Sequence, residues 1–165
     1  MARSLAALSA PAFTSLNSLA NAGLACSAAV SVGTTANVVD HLVELTINSP
    51  ATFTASLSTV INLFAYGSID GTIWSGSGTT NELVTGADKT LLWSANGNQA
   101  VYVGTIILTT TTAGTSIVFK SQPLSIAAAF GGTLPNKYVI VAQNASGAAL
   151  PATGHSIAVS ELAYS

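Results

Sequence analysis

The sequence predicts an all-β protein, a single-domain antiparallel β-sandwich or jelly roll with an extended N-terminal arm. Apolar and β-branched runs recur along the chain, and turn signals separate them at intervals of roughly 8–12 residues. No run has the length and period of a long amphipathic helix. Parallel βαβ units are therefore excluded, and we expect about seven or eight antiparallel strands.

The N-terminal part, residues 1–38, is rich in Ala and Ser and is predicted to be an arm that leads into a first strand. Residues 39–165 are predicted to form the sandwich domain. The large apolar residues of the arm are irregularly spaced and need a surface to lie on. We expect a neighbouring subunit to supply that surface, with contacts from Leu5, Leu8, Phe13, Leu16 and Leu19.

Alternation and apolar runs place the remaining strands. In residues 41–47 every second residue is apolar, which is typical of a strand with one wet face. Residues 60–66 are apolar on both faces apart from Asn62, which indicates a central strand. We expect further strands at residues 90–94, 101–108, 116–120, 137–144 and 155–162.

The connections are predicted from turn residues. Asp70-Gly71 indicates a turn, and residues 67–90 are expected to form a long ordered loop pinned at Ile73-Trp74 and Leu83-Val84. Residues 105–119 carry no charge, and we interpret them as a hairpin that turns at Ala113-Gly114. Residues 124–135 are expected to be a crossover.

Charge is scarce in this chain. Of 165 residues only 6% are charged, the net charge is −2, and the four basic residues are scattered. This pattern gives no electrostatic footprint for nucleic acid or a membrane surface, and no apolar run is long enough for a transmembrane helix. A short apolar run broken by Ser9 and Pro11 does not predict a signal peptide. We expect copies of the chain to cover much of its surface, because burying hydroxyls and amides at an interface costs less desolvation free energy than burying ions.

The sequence offers no pattern typical of catalysis, so we expect no enzyme, no cofactor and no metal site. Asp40 and Glu44 are predicted to lie about 13 Å apart on one strand face, too far for a paired-carboxylate mechanism. His41 shares the phase of the apolar residues and is interpreted as a half-buried, hydrogen-bonded histidine. Cys26 is the one cysteine and is expected to be a small buried side chain.

Trp74 is the candidate for glycan contact. It lies in a loop rich in Gly and Ser, and exposed aromatic rings stack on sugars. The alternative interpretation, which also applies to Trp93, is an aromatic plug buried under the loop. Binding of a glycan therefore stays open as a function of this loop.

Two segments carry a resemblance to known proteins. Residues 66–71 read YGSIDG, and residues 134–150 read LPNKYVIVAQNASGAAL. The chain resembles small virion structural proteins of tailed bacteriophages, in which a strand ending in YxSxDG precedes a close of the form LPxxYxIxxxNxSGxAL. The resemblance extends over most of residues 17–164 and rests on strand and turn residues.

The resemblance implies a non-enzymatic role in the virion, assembled in the host bacterial cytoplasm. It favours a capsid decoration (cement) protein, a homotrimer or other homo-oligomer that bridges neighbouring capsid subunits through its N-terminal arm. Its expected partners are copies of itself and the major capsid protein or other virion proteins. A tail, neck or fibre component is the alternative that the same resemblance leaves open, and a glycan-binding module for host adsorption is the second alternative.

Overall fold

The computed structural model of the chain is a β-sandwich of two antiparallel sheets, as the sequence predicts. The described residues belong to six segments: 3–33, 37–49, 59–74, 84–92, 99–109 and 117–164. Within them the only α-helix is a single turn, α1 (Ile126–Ala129), and a 3-10 turn covers Thr14–Leu16. The jelly-roll strand order that we considered is not confirmed.

Sheet A has the strand order β1-β11-β4-β8, and β9 pairs beside β8 on the same edge of β4. Every pairing in it is antiparallel. Its strands are β1 (Arg3–Ala7), β4 (Val38–Asn48), β8 (Val118–Lys120), β9 (Leu124–Ser125) and β11 (Ser156–Tyr164).

Sheet B has the strand order β6-β2-β10-β5-β7, and β3 pairs with the start of β10. It is antiparallel throughout the described strands. Its strands are β2 (Leu24–Cys26), β3 (Val30–Ser31), β5 (Val60–Ser68), β6 (Lys89–Leu91), β7 (Val101–Ile107) and β10 (Lys137–Ala145).

The main core fills the space between the sheets. On β4 the side chains of Val43, Leu45 and Ile47 point inward and are fully buried, which confirms the predicted alternation. Strand β5 is central, since it pairs with β10 on one side and β7 on the other. Residues 60–66 and 137–144 are thus strands as predicted.

A second, smaller cluster covers part of the outer face of sheet B. Val139 and Val141 of β10 pack there against Trp74, Val84 and Leu91. Strand β10 is therefore buried on both faces, which explains its nearly unbroken apolar sequence.

The prediction that the N-terminal residues form an arm separate from the sandwich is wrong. Strand β1 pairs with β11 at the edge of sheet A, and β2 lies inside sheet B between β6 and β10. Residues on the arm side of the predicted boundary at residue 38 therefore contribute to both sheets. The chain has enough apolar surface of its own to bury this segment, so it needs no neighbour to do so.

Three residues of the predicted arm are buried in the core and not available to a neighbouring subunit. Phe13, Leu16 and Leu19 were expected to lie on another subunit, but they are buried in the main core, Leu16 completely. Leu8 is half-buried against the same core. Leu5 alone of the five predicted contact residues points outward, with 64% of its surface exposed.

The predicted hairpin over residues 105–119 is also wrong. Strand β7 pairs with β5 in sheet B, whereas β8 pairs with β4 in sheet A. The segment therefore crosses from one sheet to the other. Its expected turn at Ala113-Gly114 lies outside the described residues, as do Leu83 and Trp93.

Candidate interaction surface

The N-terminal segment is held in place by a carboxylate that is distant from it in the sequence. Asp88 accepts hydrogen bonds from the backbone nitrogens of Thr14 and Ser15, at 2.6 and 3.0 Å, and from the Thr14 hydroxyl. These are the first N–H groups of the 3-10 turn, so Asp88 caps the turn from a distant part of the chain. Burial raises the pKa of Asp88, but these hydrogen bonds outweigh it and hold the pKa below its usual value.

Asn144 fixes the same segment at its other end. Its amide nitrogen donates to the carbonyl oxygens of Leu19, Ala20 and Ala148, at 2.9, 3.1 and 2.8 Å. Its amide oxygen accepts from the backbone nitrogen and the hydroxyl of Ser146. The Asn144 side chain is fully buried. The Asn-x-Ser-Gly part of the sequence, which belongs to the resemblance to virion proteins, therefore stabilises the fold through these hydrogen bonds.

Trp74 is buried, with 8% of its surface exposed, and this contradicts its role as an exposed platform for sugars. Its ring packs on Gly86, where an added Cβ would lie 2.8 Å from the Trp74 Cζ2 atom. Gly86 has a φ of 78° and its carbonyl oxygen accepts from the backbone nitrogen of Ala29. The structure agrees with the alternative interpretation, in which the Trp74 ring is an aromatic plug under the loop.

The described aspartates accept hydrogen bonds from the chain's own backbone. Asp40 accepts from the backbone nitrogen of Ala127, at 2.8 Å, beside the start of α1. Asp70 accepts from the backbone nitrogens of Thr72 and Ile73, which hold its pKa down at about 2 and form the predicted turn.

The other described acidic residues also have internal roles. Glu44 pairs with Lys120 on the outer face of sheet A, while Glu161 is buried. Asp40 and Glu44 lie on that outer face, as expected, but both are half-buried and not freely solvated. Asp88 is half-buried as well, whereas Asp70 is exposed.

A buried polar cluster joins the two sheets. The Nδ1 atom of His41 lies 3.0 Å from the hydroxyl oxygen of Tyr138, and Glu161 lies directly opposite His41 on β11. Among the described residues, neither the Nε2 atom of His41 nor the Oε1 atom of Glu161 has a hydrogen-bond partner. His41 is fully buried, so the expectation of a half-buried, fully hydrogen-bonded histidine is wrong.

The outer face of sheet B carries uncharged polar groups in register. Gln143 on β10, Asn62 on β5 and Thr105 on β7 lie directly opposite one another. Asn62 donates to Gln143 at 3.1 Å and accepts from Thr105 at 2.9 Å. We call these three residues and Tyr102, whose hydroxyl meets Thr105, the polar row.

Large side chains are exposed within the polar row and beside it. Tyr102 and Ile107 on the edge strand β7 are 57% and 45% exposed. The sequence signal for this surface was a lone amide, Asn62, in an otherwise apolar strand. Its partners in the row were not predicted, because a single sequence does not show which residues of neighbouring strands lie opposite one another.

A groove with a volume of about 720 Å³ lies beside strand β6. Its lining comprises Ser15, residues 17–20, Gly23, Leu24 and residues 89–92, of which Leu92 is exposed. Lys89 is the one charged residue in its lining. The lining is otherwise hydroxyl groups, amide groups and apolar side chains, and it brings together no pair of acid and base groups.

Several other expectations concern the chemistry of the chain. Cys26 is completely buried, and burial raises the pKa of its thiol to about 12. Within the described segments no three His, Cys, Asp or Glu side chains are grouped as metal ligands. None of the helices in these segments is long and apolar enough to cross a membrane.

Comparisons with models of known families, with curated proteins and with solved structures gave no match to this chain.

Proposed function

We propose that this chain is a non-enzymatic structural protein of a tailed bacteriophage virion that works by packing against copies of itself and other virion proteins. One observation carries the proposal. The described aspartates bind the chain's own backbone, while the outer face of sheet B presents amides, hydroxyls and apolar side chains.

The physical argument concerns the cost of covering a surface. A charged side chain that loses its water on assembly needs a partner of opposite charge. Amides and hydroxyls need only complementary hydrogen bonds. A free protein of this size usually keeps about a quarter of its residues charged, and this chain has 6%. A surface that other subunits normally cover explains both facts.

Within the virion we assign the chain to the head, as a decoration (cement) protein on the major capsid protein. The resemblance of residues 66–71 and 134–150 supports this role, and it implies a homotrimer or other homo-oligomer. The outer face of sheet B is the surface that we propose for contact between copies. Leu5 on β1 of sheet A is the one predicted contact residue that is exposed and could reach the capsid, because the rest of the predicted arm is part of the sandwich.

Antibody labelling of intact particles tests the assignment. Gold-labelled antibodies against the chain should decorate the head lattice in electron micrographs of phage particles made from the genome that encodes it. Labelling at the tail or neck would replace decoration with the alternative role in the tail. Absence of label from particles whose capsid protein is labelled in parallel would overturn the virion role.

A further inference from the structure

The hydrogen bonds of the polar row all run in one direction. The Thr105 hydroxyl donates its only proton to the Asn62 amide oxygen, so the contact between Thr105 and Tyr102 must use the Tyr102 proton. Asn62 then donates to the Gln143 amide oxygen. Between the strands, both donated protons therefore point from β7 towards β10, and the Tyr102 proton points to Thr105 within β7.

This direction gives the row two different ends. At the β10 end the amide nitrogen of Gln143 has two protons and no acceptor among the described residues. At the β7 end the Tyr102 oxygen, having donated its proton, offers lone pairs. Hydrogen bonds in such a chain polarise one another, which strengthens the donor at one end and the acceptor at the other.

The surroundings favour a protein as the occupant of this face. Strands β5 and β7 carry no charged residue, and Lys137 on β10 lies at the far end of that strand. Ile107, opposite Val60, adds exposed apolar area next to the row. Polar groups on such a face are stable under a partner only where the partner supplies matching donors and acceptors.

We infer that the polar row is the centre of a two-fold contact between two copies of this chain. A two-fold axis near Asn62 reverses the row in the second copy. The Gln143 amide of each copy then faces the Tyr102 oxygen of the other, so both unpaired ends are satisfied by one operation. Such a self-complementary patch is what an isologous interface requires.

The dimensions fit this arrangement. Three neighbouring strands place the ends of the row about 10 Å apart, and two packed sheets lie about 10 Å face to face. Outward side chains of both copies therefore reach each other. The inference rests on the proposed function, because it names the partner in the assembly that the function requires.

Sedimentation velocity over a concentration series tests the contact with the full chain. The unaltered protein should form a dimer. Gln143→Glu keeps the acceptor for Asn62 but removes the free donor and adds a charge, so dimer dissociation should become roughly a hundredfold more favourable. Ser156→Glu adds the same charge on the outer face of sheet A and should leave the dimer unchanged.

A charge pair provides the decisive variant. Tyr102→Arg alone should also weaken the dimer, whereas Gln143→Glu combined with Tyr102→Arg places opposite charges across the two-fold axis and should restore it. Circular dichroism of each variant confirms that the sandwich still folds.

Three results would overturn the inference. They are a monomeric unaltered protein, a purely three-fold assembly, and a dimer that Gln143→Glu leaves intact. The second and third leave the proposed function standing, and so does the first if the protein is found on particles. A monomer that binds a glycan and no particle overturns both.

Discussion

The Nδ1 atom of His41 lies 3.0 Å from the hydroxyl oxygen of Tyr138, and this contact joins the two sheets in the middle of their core. His41 comes from β4 in sheet A and Tyr138 from β10 in sheet B. The two rings meet edge to face, with centroids 5.6 Å apart. Both side chains are fully buried, so the contact is made where water does not compete.

Removing the Tyr138 hydroxyl should destabilise the protein through His41. Tyr138→Phe leaves the Nδ1 atom of His41 buried without a partner, which costs about 1 to 3 kcal/mol. Urea unfolding followed by circular dichroism measures the loss. Tyr164→Phe, on the half-buried end of β11, is the matched control and should change stability little. Equal effects of the two variants would contradict the account.

Mild acid should destabilise the sandwich. Burial lowers the pKa of His41, against the weaker opposing effects of Glu161 and Asp40, and burial also lowers the pKa of His155. In the unfolded chain both histidines take up a proton near pH 6.5. The unfolded state therefore binds more protons, and stability falls as the pH drops below about 6.5 towards the folded-state pKa values.

The measurement is the urea midpoint at a series of pH values. It should decline from about pH 7 to about pH 5, before the acceptor carboxylates of Asp70 and Asp88 are protonated. His41→Asn, which keeps a polar atom near the Nδ1 position, should flatten much of this decline. His155→Asn should flatten the remainder. A midpoint that stays constant over this range in the unaltered protein would rule out the buried neutral histidine.

Asn144 should be the most sensitive polar residue of the fold. Asn144→Asp keeps the acceptor for Ser146 but loses the donors to Leu19, Ala20 and Ala148, so we expect a loss of about 3 kcal/mol or more. Asn17→Asp, at an exposed position nearby, is the control. Hydrogen exchange should show the greatest gain around Leu19. An Asn144→Asp variant as stable as Asn17→Asp would contradict this role of Asn144.

The packing of Trp74 on Gly86 is tested by two alanine substitutions. Gly86→Ala adds a Cβ at 2.8 Å from the Trp74 ring and also strains a backbone at φ 78°. Gly131→Ala strains a backbone at φ 75° but meets nothing within 4 Å, so it reports the backbone cost alone, about 1 to 2 kcal/mol. Gly86→Ala should cost about 1 to 3 kcal/mol more, because of overpacking. Equal losses would place the Trp74 ring elsewhere.

The strands were predictable because their pattern is local. Val43, Leu45 and Ile47 alternate on β4, and the apolar run of β10 is recognisable without knowing what covers it. Both follow from the two-residue period of a strand and from burial. The turn at Asp70-Gly71 was equally local, since the Asp70 carboxylate binds backbone nitrogens two and three residues ahead.

The errors arose where distant parts of the chain decide the outcome. Leu16 and Leu19 fill the main core from a segment, outside the strands, that Asp88 and Asn144 hold in place. The hairpin error has the same origin, since nothing in residues 105–119 shows that β8 pairs with β4 in the other sheet. Contacts of this kind are set by tertiary packing.

The candidate surface was predictable in chemistry but not in position. The low charge of the chain indicated an uncharged contact surface, and the contact itself stays a prediction. The predicted positions were five apolar residues of the arm, of which only Leu5 is exposed. The polar row depends on the pairing of β5 with β7 and β10, so Asn62 alone was visible in the sequence.

Copy number in purified particles tests the central claim most directly. Particles made from the genome that encodes this chain are purified on a density gradient, and mass spectrometry compares its peptides with those of the major capsid protein. We expect the chain to remain with the particles in a fixed ratio comparable to that of the capsid protein. Particles that carry full capsid protein and none of this chain would contradict the account.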